Sequence, residues 1–95
     1  MELTFSGEVV HWRGPAPFVF AVVPPEEAAE IAAVAPMVTY GWGCISVAVR
    51  LGRTAFTTAL FPKDGGYLVP LKVAVRCAEG VDVGDVVRLR LVLGG

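Results

Sequence analysis

Apolar and polar positions alternate along most of this chain in short stretches, interrupted twice by helical spacing. In LTFSGEVVHW, residues 3–12, Leu3, Phe5, Gly7 and Val9 fall on one side and Thr4, Ser6 and Glu8 on the other. That two-residue period predicts a strand, and Gly7 within it marks a bulge or a close backbone approach. RGPAP, residues 13–17, is turn chemistry. FVFAVV, residues 18–23, is apolar on both faces and predicts a strand covered on both sides.

Pro24 and Pro25 stop that strand, and Pro25, Glu26 and Glu27 suit the first turn of a helix. The spacing predicts a helix to about Ala35, ended by Pro36, with Ala28, Ile31, Ala32 and Ala35 inward. PMVTYGWG reads as irregular. CISVAVRL and TAFTTALF follow, separated by Gly52-Arg53, a two-residue hairpin turn. That turn pairs Leu51 with Thr54, Val49 with Phe56, Val47 with Thr58 and Ile45 with Leu60. The opposite face carries Ser46, Ala48, Arg50, Ala55, Thr57 and Ala59, mostly small residues that would let another layer cover it.

In FPKDGGYLVPLKVAVRCAEG, residues 61–80, two glycines precede a basic segment. A phosphate loop needs glycines running directly into a helix, and here a short YLV strand intervenes. Asp64-Gly65 therefore reads as a tight turn. A helix is expected from Pro70 to about Glu79, with Leu71, Ala74, Val75 and Ala78 buried and Gly80 as its left-handed stop. Glu79 is expected to pair with Arg76. Val73 and Cys77 fall on the far side of this helix, a hint of a homo-oligomer. In VVRLRLVL, Val87, Leu89, Leu91 and Leu93 point inward and Arg88 and Arg90 outward.

Six short strands and two small helices predict a mainly β domain: a closed or double-split six-stranded barrel with two short capping helices, spanning residues 1–95 as one unit. Composition sharpens this picture. The hydrophobic share is 55%, above the roughly 45–50% of ordinary soluble chains, so apolar side chains must be covered. No apolar run is long enough to span a bilayer, and no secretory signal precedes the first strand, which points to the cytoplasm. A net charge of −1 argues against a nucleic-acid partner.

Candidate chemistry is sparse. One histidine and two scattered cysteines, Cys44 and Cys77, predict reduced thiols, no metal site and no cofactor. Ser6 and Ser46 with the lone His11 assemble no nucleophilic triad, so no catalytic residue is assigned. Trp42 with Tyr40 combines large apolar bodies with polar tips suited to plugging a barrel end. The candidate ligand-binding residues are Trp42, Lys63, Tyr67, Lys72 and Arg76, and the expected partner is an unknown small molecule or protein. That makes the chain a non-enzymatic binding module. A nucleic-acid-binding domain is the alternative, and a small hydrolase or isomerase ranks below both.

The ordered set Gly52, Phe61-Pro62, Gly66-Tyr67, Pro70, Lys72, Arg76, Gly80 and Gly84-Asp85, with Phe5…Gly7 and Val23-Pro24 before it, resembles the bacterial domain-of-unknown-function family DUF1905. The resemblance covers nearly the whole chain. It implies a double-split β-barrel, similar in shape to the swapped-hairpin barrels of AbrB-type transcription factors. It brings no established activity and no catalytic residues.

Overall fold

The Gly52-Arg53 turn sets the register of the longest hairpin. In a computed structural model that describes residues 1–12, 18–40 and 44–93, with the backbone alone at Trp12, 37–40 and Cys44, β4 (Cys44–Leu51) and β5 (Thr54–Lys63) pair as the turn dictates. Leu51 lies opposite Thr54, Val49 opposite Phe56, Val47 opposite Thr58 and Ile45 opposite Leu60. Gly52 has φ 60°, the left-handed conformation that the first position of a two-residue hairpin loop takes most readily as glycine.

Around this hairpin stand β1 (Glu2–Trp12), β2 (Phe18–Val22), β6 (Gly66–Pro70) and β7 (Val86–Leu93). The six strands follow one another in the order β4-β5-β6-β2-β1-β7, and β7 returns to β4 to close the ring. A further two-residue strand, β3 (Thr39–Tyr40), pairs with Cys44 and Ile45 of β4, beyond the stretch 47–51 that β7 covers. It falls in the stretch expected to be irregular.

Two strands change partner midway, which makes the barrel double-split. Residues 2–8 of β1 pair with β7, and residues 9–12 pair with β2. Residues 54–60 of β5 pair with β4, while residues 61–63 pair with β6. Gly7 lies at the first of these handovers. A Cβ there would collide with the backbone carbonyl oxygen of Val22, so the expected close approach is present and only glycine fits.

Alternation places the core. Leu3, Phe5 and Val9 of β1 point inward with Val47, Val49 and Leu51 of β4 and Leu89, Leu91 and Leu93 of β7. No polar or charged side chain is buried among the described residues. Each fully buried leucine contributes roughly 1.5–3 kcal/mol, so the barrel interior is the main source of stability. The small-residue face of the β4–β5 hairpin is not covered. Ser46, Ala48, Arg50, Ala55 and Thr57 are exposed and Ala59 is half-buried, because β4 and β5 turn their bulky side chains into the barrel.

Two helix boundaries differ from the sequence reading. The first helix, α1 (Pro25–Val38), continues through Pro36, and Ala32 is exposed. Pro36 removes a hydrogen bond to that exposed turn, where water can satisfy the freed carbonyl. Among the described side chains of α1, only Ala28 and Ile31 are buried. The second helix, α2 (Val73–Glu79), starts three residues later than Pro70. Pro70 instead pairs with Phe20, and the Leu71 amide donates to the Val19 carbonyl at 2.9 Å, extending the ladder. The later start rotates the buried face: Val75 is buried, whereas Ala74 and Ala78 are exposed. Gly80, with φ 62°, ends the helix as expected.

On the outer wall Arg90 lies 2.8 Å from Glu2, both about half exposed. The hydrogen bond from Arg90, reinforced by its charge, holds the Glu2 carboxyl below its ordinary range. A lowered folded-state value means that the contribution is present above the unfolded pKa and is lost as pH falls through the folded one. Arg90→Met should therefore return the Glu2 midpoint to the usual carboxylate range in an NMR titration. An unchanged midpoint would mean that the contact does not persist in solution.

Candidate functional site

The strand alternation that fills the core also sends apolar side chains outward on the half-sheet β1–β2–β6. Val19, Ala21 and Val23 belong to the interior cluster, so Phe20 and Val22 between them face the other way. Val10 pairs with Phe20, and Val22 pairs with Leu68. Phe20 is only 2% exposed, although it lies outside the interior cluster. Its cover is aromatic: the Phe18 ring is 6.0 Å away and tilted, and the Phe61 ring is 5.9 Å away and edge-on. Both outer rings remain exposed.

Val10, Phe20, Val22 and Leu68 floor a groove of about 630 Å³. Its rim is polar. His11 comes from the exposed end of β1, Lys63 and Asp64 from the β5–β6 turn, and Tyr67 from the start of β6. The turn is built by Asp64 and Gly65, both with positive φ (50° and 79°), between the paired Lys63 and Gly66. That is the mirror-image turn preferred in two-residue hairpins. Asp64 and Gly65 therefore reverse the chain between strands, as read from the sequence.

Lys72 and Arg76 lie in a second groove of about 380 Å³, with Phe18, Val19, Pro70, Leu71 and Val73. The candidate residues thus divide. Lys63 and Tyr67 share the first groove, Lys72 and Arg76 the second, and Trp42 lies outside the described residues. The expected aromatic plug rests on Trp42 and on the side chain of Tyr40, which with the 13–17 turn lie outside what is described. Sequence reasoning left His11, Phe20 and Leu68 out of the candidate set, although the doubly apolar run at 18–23 already signalled that this strand presents apolar groups on both sides.

The expected Arg76–Glu79 pair does not form. The Thr54 hydroxyl donates to Glu79 Oε2 at 2.6 Å, tying the end of α2 to the start of β5. Room for that carboxylate exists because Gly52 has no Cβ, which would overlap Glu79 Oε1. Cys77 is a free, exposed thiol. Among the described residues no group of three His, Cys, Asp or Glu side chains is placed to hold a metal ion, and no helix is long and apolar enough to cross a membrane.

The family model for a domain of unknown function, DUF1905, matches residues 5–91. The chain belongs to this family. No curated protein matches it. The DUF1905 match begins in the middle of the β1–β7 ladder and ends within β7, so it takes in both strand handovers, both helices and both grooves. The closed six-stranded barrel with two helices is the DUF1905 architecture of this chain.

Proposed function

We propose that this DUF1905 domain is a non-enzymatic binding module that holds a small organic ligand in the groove between His11, Phe20, Lys63 and Tyr67. The observation that carries this reading is the apolar floor of Val10, Phe20, Val22 and Leu68 on an outward strand face, where a barrel wall is ordinarily polar. A groove of about 630 Å³ falls in the range of roughly 300–1,000 Å³ typical of small-ligand sites. Lys63 and His11, both exposed, supply orienting polar groups around that floor, and Tyr67, packed against the interior cluster, lines its edge.

The lining chemistry supports a reading of binding without turnover. Among the described residues no serine, threonine or cysteine lines the groove beside His11, and Ser6 and Ser46 sit on strand stretches paired within the opposite half of the barrel. A nucleophile and its base are therefore not brought together. A free, exposed Cys77 fits a reducing compartment such as the cytoplasm.

A fragment library screened by amide NMR tests this reading. Hits should perturb Val10, His11, Phe20, Lys63 and Tyr67 together, and Lys63→Ala should weaken acidic fragments by about tenfold. Perturbations confined to the β4–β5–β7 wall would overturn it.

A further inference from the structure

Beyond the first groove, we propose that the second groove, between β2 and α2, is a separate site for a small apolar monocarboxylate. Two observations carry this. The walls are apolar, and two of their side chains are left uncovered: Phe18 is 53% exposed and Val73 64% exposed. Between them stand two cations, Lys72 and Arg76, and among the described residues no acidic side chain lines the groove.

Arg76 is the more telling residue. Its Nε is buried from solvent and has no hydrogen-bond partner. A buried polar group left without an acceptor is costly and uncommon, and a turn of the half-buried Arg76 side chain that brings Nε to a ligand oxygen in the groove would satisfy it. The acidic neighbours are otherwise engaged or elsewhere. Glu79 accepts from Thr54, and Asp82 lines a shallower depression on the other flank of Arg76 without forming an ion pair with it among the described residues. Neither Lys72 nor Arg76 is in an ion pair among the described residues.

The charge and the walls together select the ligand class. The edge of a guanidinium at Nε and one Nη matches the two oxygens of a carboxylate. An apolar body on that carboxylate would cover Phe18, Leu71 and Val73, which an inorganic anion would leave wet. At about 380 Å³ the groove suits a single ring or a short alkyl chain.

Phenylacetate is the probe, with acetate, benzyl alcohol and inorganic phosphate as comparisons, followed by amide NMR and calorimetry on the whole chain. Phenylacetate should perturb the amides of Val19, Leu71, Lys72, Val73 and Arg76, and bind about tenfold more tightly than acetate or benzyl alcohol. Arg76→Met, which keeps the aliphatic stem, should lose about tenfold in affinity, and Arg76→Lys should recover only part of it. Lys72→Met, at an exposed position, provides the same test if Arg76→Met unfolds. Equal binding of acetate and phenylacetate, preference for phosphate, or unchanged affinity in Lys72→Met and in a folded Arg76→Met would overturn the proposal. So would concentration-dependent perturbation of Phe18 and Val73 without ligand, with a doubled mass in solution, because a second copy would then cover the groove. Fragment hits at His11, Lys63 and Tyr67 can survive any of these failures, which separates this site from the first.

Discussion

Gly7→Ala should destabilise the barrel by about 3 kcal/mol, the upper part of the range for overpacking a tight interior. The new methyl would meet the Val22 carbonyl oxygen, a backbone atom that no rotamer change can move aside. Relief requires β1 and β2 to separate where β1 leaves β7 for β2, which disturbs both ladders at once. In thermal unfolding the midpoint should fall by roughly 15 °C for a domain of this size. Gly66→Ala is the control, because the nearest atom to its Cβ, the Lys63 carbonyl oxygen, is at an ordinary 3.6 Å. That variant should be neutral or slightly stabilising, since it narrows the unfolded ensemble. If the two variants melt alike, the close approach of β1 to β2 is wrong.

Leu91→Ala should cost about 3–4 kcal/mol in urea unfolding, a typical penalty for emptying a fully buried leucine site. Leu91 is completely buried and stands in one row with Leu3 of β1 and Val49 of β4, its direct partners on either side. The row crosses the closure of the ring, so the cavity would open between three strands that cannot all collapse onto it. Arg90→Ala, one residue away and facing outward, should change stability by less than about 0.5 kcal/mol. Similar losses from both would mean that β7 does not alternate between core and solvent as described.

The barrel was legible because its governing signals are local. A two-residue turn fixes the register of β4 and β5, and β7 declares its inward row by period alone. The helix start was misread because Pro70 satisfies two descriptions, a first helical residue and a strand residue that needs no donor. Only the long-range pairing with Phe20 chooses between them. Ala74, Ala78 and the small face of the β4–β5 hairpin were misplaced because small side chains carry little burial preference. The candidate residues were nearly all in grooves, yet their division into two depended on strand order, which no window of the sequence contains. Phe20 illustrates the same limit. Its chemistry was visible, but its partners Phe18 and Phe61 come from the same strand and from β5, which reaches β2 only through β6.

The seam between the first and last strands has a mechanical consequence. The Met1 amino group donates to the Leu93 carbonyl oxygen at 3.3 Å, and the Leu93 amide donates back to the Met1 carbonyl at 2.8 Å. Because β1 and β7 run antiparallel, tension applied at Met1 and Leu93 would load these rungs one after another, starting from that pair. Such a joint peels open like a zip at low force, whereas pulling across β4 and β5 from opposite ends would strain the whole ladder at once. A molecule that resists heat through its packed interior would thus yield readily to a tug on its tails.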